Sequence, residues 1–379
     1  MLKNWFRYLI ILLCTTAFYI CFSGYYSLYA ILACLALPVL SLLLSLPAML
    51  TLRLYLESPE APQSKGESFS LRLTASHRSP LPCGRAWAAV NGLNQFTGDR
   101  CQGRVEFTPS RQPLAVEYQA SSDLCGLLCF RLDRVWVCDL LGLVSLPVRL
   151  RKGGGFCQTL ILPNVHRPVM GLEEEAAPEG DGQRYSLRRP GSDPTELFGL
   201  REYQPGDRLN RVDWKLSQKT GAILVREGSL PVSDRVVLLA SFDGEAQEAD
   251  ACMDVLATVH HFLAAGEAGH LVCFPSVQGL AALEVQEPEE APAVVQGVLL
   301  MAERGSPAPD FESLPGGASH ILYLCAQPDR AVLGALREKY PEGKLTVLHC
   351  RPGAALSPDV ESRQVRPSHI VQDLEGLLL

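Results

Sequence analysis

The stretch GSDPTELFGLREYQPGDRLNRVDWKLSQKTGAILVRE, residues 191–227, is the most informative part of this chain. Between residues 201 and 215, four cations and three carboxylates are interspersed with two large aromatic side chains, Tyr203 and Trp214. A merely solvated segment has no reason to carry an exposed tryptophan among so many charges. The mixture predicts a partly buried network of ion pairs under aromatic side chains, built for a specific local geometry or a specific partner.

The same stretch predicts a strand, a tight turn, a short charged helix and a second strand. Pro205 and Gly206 occupy the central positions of a type II turn. Asp207 is suited to cap a helix over roughly residues 208–219, which Gly221 would end in a left-handed conformation. Two interpretations of the charges stay open, because ion pairs either pin such a helix to its sheet or form a docking surface.

Two apolar runs, residues 8–22 and 26–50, precede this stretch. Each can cross a hydrocarbon core of about 30 Å, the first only by recruiting Trp5 and Phe6. A signal peptide is the competing interpretation of the first run. The run lacks a small-x-small cleavage site, and the second follows at once. A transmembrane hairpin of two helices is therefore expected.

Basic residues set the predicted topology of this hairpin. Lys3 and Arg7 precede it, Arg53 follows it, and the connecting loop carries no charge. The positive-inside rule places such flanks in the cytoplasm. The expected localisation is the cell membrane, with two transmembrane helices and cytoplasmic soluble domains.

The rest of the chain predicts two folded domains of different class. Short alternating runs punctuated by proline and glycine are typical of a β-sandwich. An acidic segment without large apolar side chains predicts a linker or exposed loop. Strand and helix patterns then alternate, which favours a parallel sheet covered by helices. The predicted order is a transmembrane helical hairpin (1–53), an all-β sandwich (54–165), a linker (166–188), the charged signature region (189–230) and an α/β domain (231–379).

Composition and motifs disfavour several classes of function. The thirteen cysteines are scattered and odd in number, unlike a secreted disulfide framework. A net charge of −7 without a basic stripe argues against nucleic-acid binding. The chain has no nucleophile elbow, P-loop, dinucleotide fingerprint or zincin helix. Asp207 and Asp213, set among arginine and lysine, are better explained as ion-paired than as an acid/base pair. Neither enzymatic activity nor a cofactor is expected.

The signature region resembles the bacterial and archaeal family called domain of unknown function 58. An Arg-x-Tyr-x-x-Gly-Asp turn, an Arg-x-Asp-Trp-Lys helix start and a Thr-Gly-x-Leu-x-Val-Arg strand make up its pattern. A weaker second match, residues 139–143, is similar to an Asp-x-x-Gly-Leu element in a sandwich domain that often precedes the signature. The matching signature residues are Arg201, Tyr203, Gly206, Asp207, Arg211, Asp213, Trp214, Lys215, Thr220 and Gly221.

The resemblance implies a C-terminal domain similar to von Willebrand factor type A, a fold that can hold a divalent metal after its first strand. That site needs Asp-x-Ser-x-Ser, which supplies carboxylate and hydroxyl oxygens from one loop. Here Asp243 follows Ser241, but Glu245 and Gln247 stand where the hydroxyls belong. The sequence therefore predicts a degenerate site near Ser241 and Asp243 that binds no metal.

The resemblance also implies a function. Members work as non-enzymatic adaptors beside a MoxR-type AAA+ ATPase, often with a membrane transglutaminase-like protein, in the maturation or remodelling of membrane or envelope complexes. The alternative is an envelope-facing protein whose β-sandwich binds an extracytoplasmic ligand. On the first hypothesis the interaction patch, or its internal scaffold, consists of Arg201, Tyr203, Gly206, Asp207, Arg211, Asp213, Trp214 and Lys215.

Overall fold

The chain forms two compact units, Met1–Pro163 and Asn164–Leu379, each with its own core. The structure is a computed structural model. It describes residues 2–22, 24–148, 154–172, 184–191, 193–205, 207–232, 236–266, 268–285, 288–305, 314, 318, 320–341, 343–351 and 360–379.

The first unit begins with two antiparallel helices, α1 (Leu2–Cys21) and α2 (Tyr25–Leu50). Both are long and apolar enough to cross a membrane by length and composition. Their large apolar side chains are mostly exposed, as expected of helices that face lipid rather than a protein core. The prediction of two N-terminal apolar helices is confirmed.

Two β-sheets follow, and they share one core. Three antiparallel strands form the smaller sheet in the order β1-β3-β6, and the larger has the order β2-β9-β7-β4-β5, with β8 paired to β7. The strands are β1 (Arg53–Glu57), β2 (Gln63–Ser64), β3 (Ser68–Ser76), β4 (Ala86–Asn94), β5 (Arg100–Phe107), β6 (Leu114–Ser121), β7 (Gly126–Cys138), β8 (Ser145–Pro147) and β9 (Phe156–Leu162).

The core of this unit lies between the two sheets. In β3, alternate side chains are buried, as period-two patterning requires when one face packs inward. Phe69 of β3 packs edge-on against Phe130 of β7, with 6.1 Å between ring centroids. Ala48 and Met49, in the last turns of α2, belong to the same buried cluster. The end of α2 is thus part of the β core.

The second unit contains a small antiparallel sheet and a larger mixed sheet. The small sheet has the order β10-β12-β11, and the mixed sheet β15-β14-β13-β16-β17-β18. The strands are β10 (Arg184–Gly191), β11 (Asp193–Glu202), β12 (Leu224–Val232), β13 (Val236–Ala240), β14 (His270–Ser276), β15 (Gly279–Val285), β16 (His320–Cys325), β17 (Lys344–His349) and β18 (Glu361–Gln364). The helices are α3 (Trp214–Thr220), α4 (Ala246–Ala265), α5 (Ala291–Met301), α6 (Arg330–Lys339) and α7 (Ile370–Leu374).

The α/β alternation predicted for this region is confirmed. The sequence also predicted a parallel sheet, and the structure corrects this to a mixed sheet. The ladders of β13 with β14, β13 with β16, β16 with β17 and β17 with β18 are parallel. β15 instead folds back on β14 as an antiparallel hairpin. Gly279, with φ +111°, begins that returning strand in a conformation that other residues rarely adopt.

The predicted linker falls partly on residues that the structure describes. Residues 173–183, its acidic middle, lie outside the described residues. Before them, Asn164 N donates to Asp254 Oδ1 at 2.9 Å and His166 N donates to Thr258 Oγ1 at 3.0 Å. Gly171 forms a parallel bridge with Leu378. The described start of this segment is therefore fastened to α4 and to the C-terminal residues.

Candidate functional site

The sequence-predicted site residues converge on one unit, which we call the signature hairpin: β11, α3 and β12, residues 193–232. The two strands pair antiparallel, with Arg201 opposite Val225. Tyr203 N donates to Ile223 O at 2.9 Å, which continues the pairing beyond the end of β11. The order of strand, turn, helix and strand is the predicted one. Gly206 lies outside the described residues.

Arg201 is the centre of the first ion-pair cluster. Its Nη1 and Nη2 donate to the two carboxylate oxygens of Asp207 at 2.6 and 2.7 Å, and its Nε donates to Glu227 Oε1 at 2.8 Å. Such two-pronged contacts fix both distance and orientation. Asp207 Oδ2 also accepts from Gln204 N at 2.8 Å. One guanidinium therefore joins the turn to both strands of the hairpin.

These contacts perturb the titration of Asp207. The hydrogen bonds from Arg201, followed by that from the Gln204 amide, favour the ionised carboxylate and lower its pKa from 3.8 to about 2. Asp207 therefore remains an anion even at a pH where an ordinary aspartate becomes protonated.

Asp213 forms the second cluster, and it corrects the predicted helix start. The sequence places the N-cap at Asp207, but Asp207 is engaged by Arg201. The chain instead runs through a 3-10 turn (Leu209–Arg211) and an extended Val212 that bridges Val225. The helix begins one residue after Asp213, whose Oδ1 accepts from Leu216 N at 3.1 Å.

The other carboxylate oxygen of Asp213 holds an arginine of the facing strand. Arg226 donates from Nε and Nη2 to Asp213 Oδ2 at 3.0 and 2.8 Å. The hydrogen bond from the Leu216 amide and then the contact with Arg226 lower the pKa of Asp213. Its carboxylate is buried, whereas Arg226 is exposed. Helix cap and ion pair thus share one side chain.

Ser217 completes the attachment of α3 to β12. Its hydroxyl donates to Asp213 O at 2.7 Å and accepts from Leu224 N at 2.9 Å. The helix then ends at Gly221, whose φ of +74° is the predicted left-handed conformation. Because Ser217 faces the strand, the helical repeat turns Lys215 and Lys219 toward solvent, and both are exposed.

The outer surface of the signature hairpin combines positive charge with apolar area. Arg208, Arg211, Lys215 and Lys219 are all exposed. Trp214 is 58% exposed, although the sequence predicted aromatic side chains packed over the ion pairs. Other large apolar side chains of the hairpin are exposed as well: Leu197, Leu200, Leu209, Leu216 and Ile223.

Sequence reasoning missed three members of the site. Arg226, Glu227 and Ser217 hold the network together, but none was a predicted site residue. Arg226 and Glu227 are adjacent in β12, so they point to opposite faces of the sheet and serve the two separate clusters. One sequence signal could have found them. Arg226 and Glu227 carry opposite charges on opposite faces of one strand, and the turn region before that strand contains Asp207 and Asp213.

At the predicted degenerate metal position, the side chains form hydrogen bonds and an ion pair within the protein. Ser241 Oγ donates to Asp243 Oδ2. Glu245 caps α4, where its N–H donates to Glu248 Oε2 at 2.7 Å, and its carboxylate pairs with Arg351 Nη2 at 3.0 Å. Within the described residues, no group of three or more His, Cys, Asp or Glu side chains is arranged to hold a metal ion.

Comparison with known proteins adds no functional assignment. No family model and no curated protein sequence matches the chain. Among solved structures, the chain is similar in part to the alkylpurine DNA glycosylase AlkC of Pseudomonas fluorescens, bound to DNA containing an abasic site analogue. The match covers 29% of this chain and 30% of the glycosylase, at 11% identity and a TM-score of 0.20. A likeness of this size carries no argument about fold or activity.

Proposed function

We propose that this protein is a membrane-anchored, non-enzymatic adaptor that works with a MoxR-type AAA+ ATPase in the maturation or remodelling of membrane or envelope complexes. The observation that carries the proposal is the exposed Trp214 at the start of a helix that Asp213 caps and Arg226 holds in place. The family resemblance of the signature region supplies the identity of the partner.

The physical argument concerns what the hairpin hides and what it presents. Three carboxylates of the hairpin are neutralised by ion pairs within it: Asp207 and Glu227 pair with Arg201, and Asp213 pairs with Arg226. The exposed cations of the turn and helix therefore dominate the outward face, beside an exposed tryptophan. Tryptophan and arginine are enriched among residues that dominate binding energy, and complementary charge speeds encounter. We expect the docking face of the ATPase to be acidic, with an apolar pocket for Trp214.

Three further features belong to the proposal. The two apolar helices anchor the protein in the cell membrane, with the soluble domains in the cytoplasm. The C-terminal α/β domain is similar to von Willebrand factor type A and acts as a protein-binding module without a metal. A membrane transglutaminase-like protein is a neighbour in the same complex. Exposed apolar helices with basic flanks support the membrane anchor, and the α/β alternation supports the fold class of the C-terminal domain. The likeness to von Willebrand factor type A and the transglutaminase-like neighbour rest on the family resemblance alone.

The test is co-purification of the tagged full-length protein after cross-linking, in ATP-trapped and nucleotide-free lysates. We expect an AAA+ ATPase to be recovered in a nucleotide-dependent way. Trp214→Ala and the Lys215→Glu/Lys219→Glu pair should each reduce recovery at least tenfold. The matched controls are Leu300→Ala, a side chain in α5 that is also 58% exposed, and Arg111→Glu in the first unit. Equal loss in the controls would show that the effect is not specific to the hairpin.

Topology separates this function from its alternative, an envelope-facing binding protein. Cys83 and Cys157 are buried, so an introduced cysteine is a better reporter of sidedness. Leu93→Cys, at the end of β4, provides an exposed one. Labelling of this variant above the wild-type background by an impermeant maleimide in intact cells would place the first unit outside the cytoplasm. Recovery of envelope proteins without an ATPase would point the same way.

A further inference from the structure

A loop of the first unit, residues 139–144, is fastened to both apolar helices; we call it the Asp139 loop. Ser41 Oγ of α2 donates to Asp139 Oδ2. Leu140 N donates to Ser45 Oγ at 3.1 Å, and Leu141 N donates to Ser41 Oγ at 3.2 Å. Both serines lie four residues apart on one face of α2, so a single helix face carries the loop.

The first helix holds the loop from the other side. Asn4 Nδ2 donates to Leu141 O at 3.0 Å, and Trp5 Nε1 donates to Leu143 O at 2.8 Å. Within the loop, Asp139 Oδ1 accepts from the amides of Leu143 and Val144 at 2.7 and 2.8 Å. Hydrogen bonds therefore connect the loop to the first turn of α1 and to the last part of α2.

This attachment divides α2 into two segments with different surroundings. From Ser41 onward one face of the helix packs against the rest of the first unit, because Ser45, Ala48 and Met49 are buried. The opposite face stays exposed there, at Leu43 and Leu50. Before Ser41, large side chains such as Leu35, Leu37, Val39 and Leu40 are exposed. The packing of α2 against the β core of the first unit therefore begins at the level of the Asp139 loop.

The loop itself presents apolar side chains at that level. Leu140 and Leu141 are 43% and 40% exposed, although the backbone of each is bonded to a helix. Trp5 lies beside them with its indole N–H satisfied and much of its ring exposed. Lys3 and Arg7, on either side of Trp5 in the sequence, are exposed too. Leucine, tryptophan and basic side chains at one level are the composition of a membrane interface.

We propose that the Asp139 loop lies in the bilayer interface, with Leu140 and Leu141 inserted below the lipid headgroups and the membrane boundary crossing α2 near Ser41. The partner of this surface is the lipid bilayer, and the inference rests on the proposed membrane anchoring of the helices. It goes beyond anchoring, because it fixes the first unit against the membrane at a defined depth.

Charge and length agree with this placement. Lys3 and Arg7 can reach anionic headgroups from the same level. The part of α2 that precedes Ser41, Tyr25 to Leu40, has about 16 residues and spans about 24 Å. At its far end, Tyr25 and Tyr26 are strongly exposed, as in an aromatic belt at the opposite interface. The pair of helices α1 and α2 then fits a bilayer whose hydrocarbon core is slightly thinner than the usual value of about 30 Å.

The test is photo-cross-linking of the full-length protein in liposomes of phosphatidylethanolamine and phosphatidylglycerol that carry a tagged lipid. A benzophenone amino acid replaces Leu37 in α2, Leu141 in the loop or Leu93 at the far end of β4, one at a time. Leu93 is the matched control, because it is also 40% exposed. It lies seven residues along β4 from Ala86, which pairs with Val137 near the loop, or about 23 Å away.

We expect lipid adducts at positions 37 and 141, each several-fold above position 93. Adducts at 37 but only background at 141 would overturn the placement of the loop and leave the membrane anchor intact. Background at all three positions would overturn the anchor as well. Equal adducts at 93 and 141, or adducts at 141 to protein in place of lipid, would also overturn the proposal.

Discussion

The Asp139 loop and the signature hairpin each contain a turn held by carboxylates, but the hydrogen-bond partners of those carboxylates differ. Asp139 is fully buried, and the partners that the structure describes for it are a serine hydroxyl and two backbone amides. Asp207 and Asp213 instead pair with the guanidinium groups of Arg201 and Arg226, and these arginine side chains are at least partly exposed to water. The first arrangement joins secondary-structure elements, and the second shapes a charged surface.

The difference teaches where the effect of each carboxylate should be measured. A buried acceptor that satisfies three donors contributes mainly to stability, because its loss leaves those donors without partners in the protein. Ion pairs that are partly exposed contribute little to stability on average. Their main effect in the signature hairpin is therefore geometric, since they set the position of α3 and of the cations around it.

The largest expected effect is at Asp139. Asp139→Ala removes the acceptor for Ser41 Oγ and for the Leu143 and Val144 amides, so unfolding should become easier by on the order of 3 kcal/mol. Thermal unfolding of the full-length protein in detergent measures this. Asp133→Ala, an exposed carboxylate of the same region in β7, is the matched control and should change stability little. Similar melting of the two variants would contradict the structural role of the Asp139 loop.

Two left-handed glycines give the next comparison, one in each region. Gly142 has φ +67° in the Asp139 loop, and Gly221 has φ +74° at the end of α3. Either change to alanine costs about 1 kcal/mol or more in backbone strain. A Cβ at Gly142 would also meet Asn4 Nδ2 at 2.4 Å, whereas nothing lies within 4 Å of one at Gly221. Gly142→Ala should therefore be the more destabilising, by about 1 kcal/mol.

A double-mutant cycle isolates the contact that distinguishes these glycines. In an Asn4→Ala background the added methyl group at position 142 no longer meets the amide, so the two glycine variants should become nearly equal in thermal unfolding. An unchanged difference in that background would show that Asn4 does not determine the cost.

Arg226→Ala should loosen α3 without melting the protein. It removes both donors to Asp213 Oδ2, so the aspartate that caps the helix loses its fixed orientation. Hydrogen exchange of the Leu216 and Ser217 amides should accelerate several-fold, with little change in Tm. Lys219→Ala, an exposed cation of the same helix, should leave this exchange unchanged. Loss of the whole fold on Arg226→Ala would mean that the ion pair is structural in the same sense as Asp139.

Local pattern was enough to predict the parts of the fold whose determinants are close in sequence. Apolar runs predicted α1 and α2, and alternating strand and helix patterns predicted the α/β region. Gly221 was predicted to be the end of α3 because a left-handed residue has a strong local preference for glycine. Each of these features is fixed by residues a few positions apart.

The features that sequence did not predict depend on residues distant along the chain. The N-cap is Asp213 and not Asp207, because the register of β11 brings Arg201 to Asp207. Ser41 and Ser45 interrupt an apolar run and are the residues that hold a loop about a hundred residues away. β15 is the exception, because it pairs with β14 across a two-residue turn that ends at Gly279. That signal was local, and the sequence reasoning overlooked it.

The smallest expected effect is the acid titration of Asp207, and it tests whether the signature hairpin is held by charge at all. Arg201 keeps the folded pKa at about 2, below the ordinary 3.8. The stabilisation from this pair is therefore complete above about pH 4 and is lost as the pH falls toward 2. Carboxyl ¹³C shifts of the full-length protein, assigned with Asp207→Asn, should show Asp207 still ionised at pH 3. In Arg201→Gln its midpoint should move up toward 3.8. If the midpoint stays near 2 in that variant, the Gln204 amide and not the guanidinium holds the charge, and the hairpin resembles the Asp139 loop more closely than its ion pairs suggest.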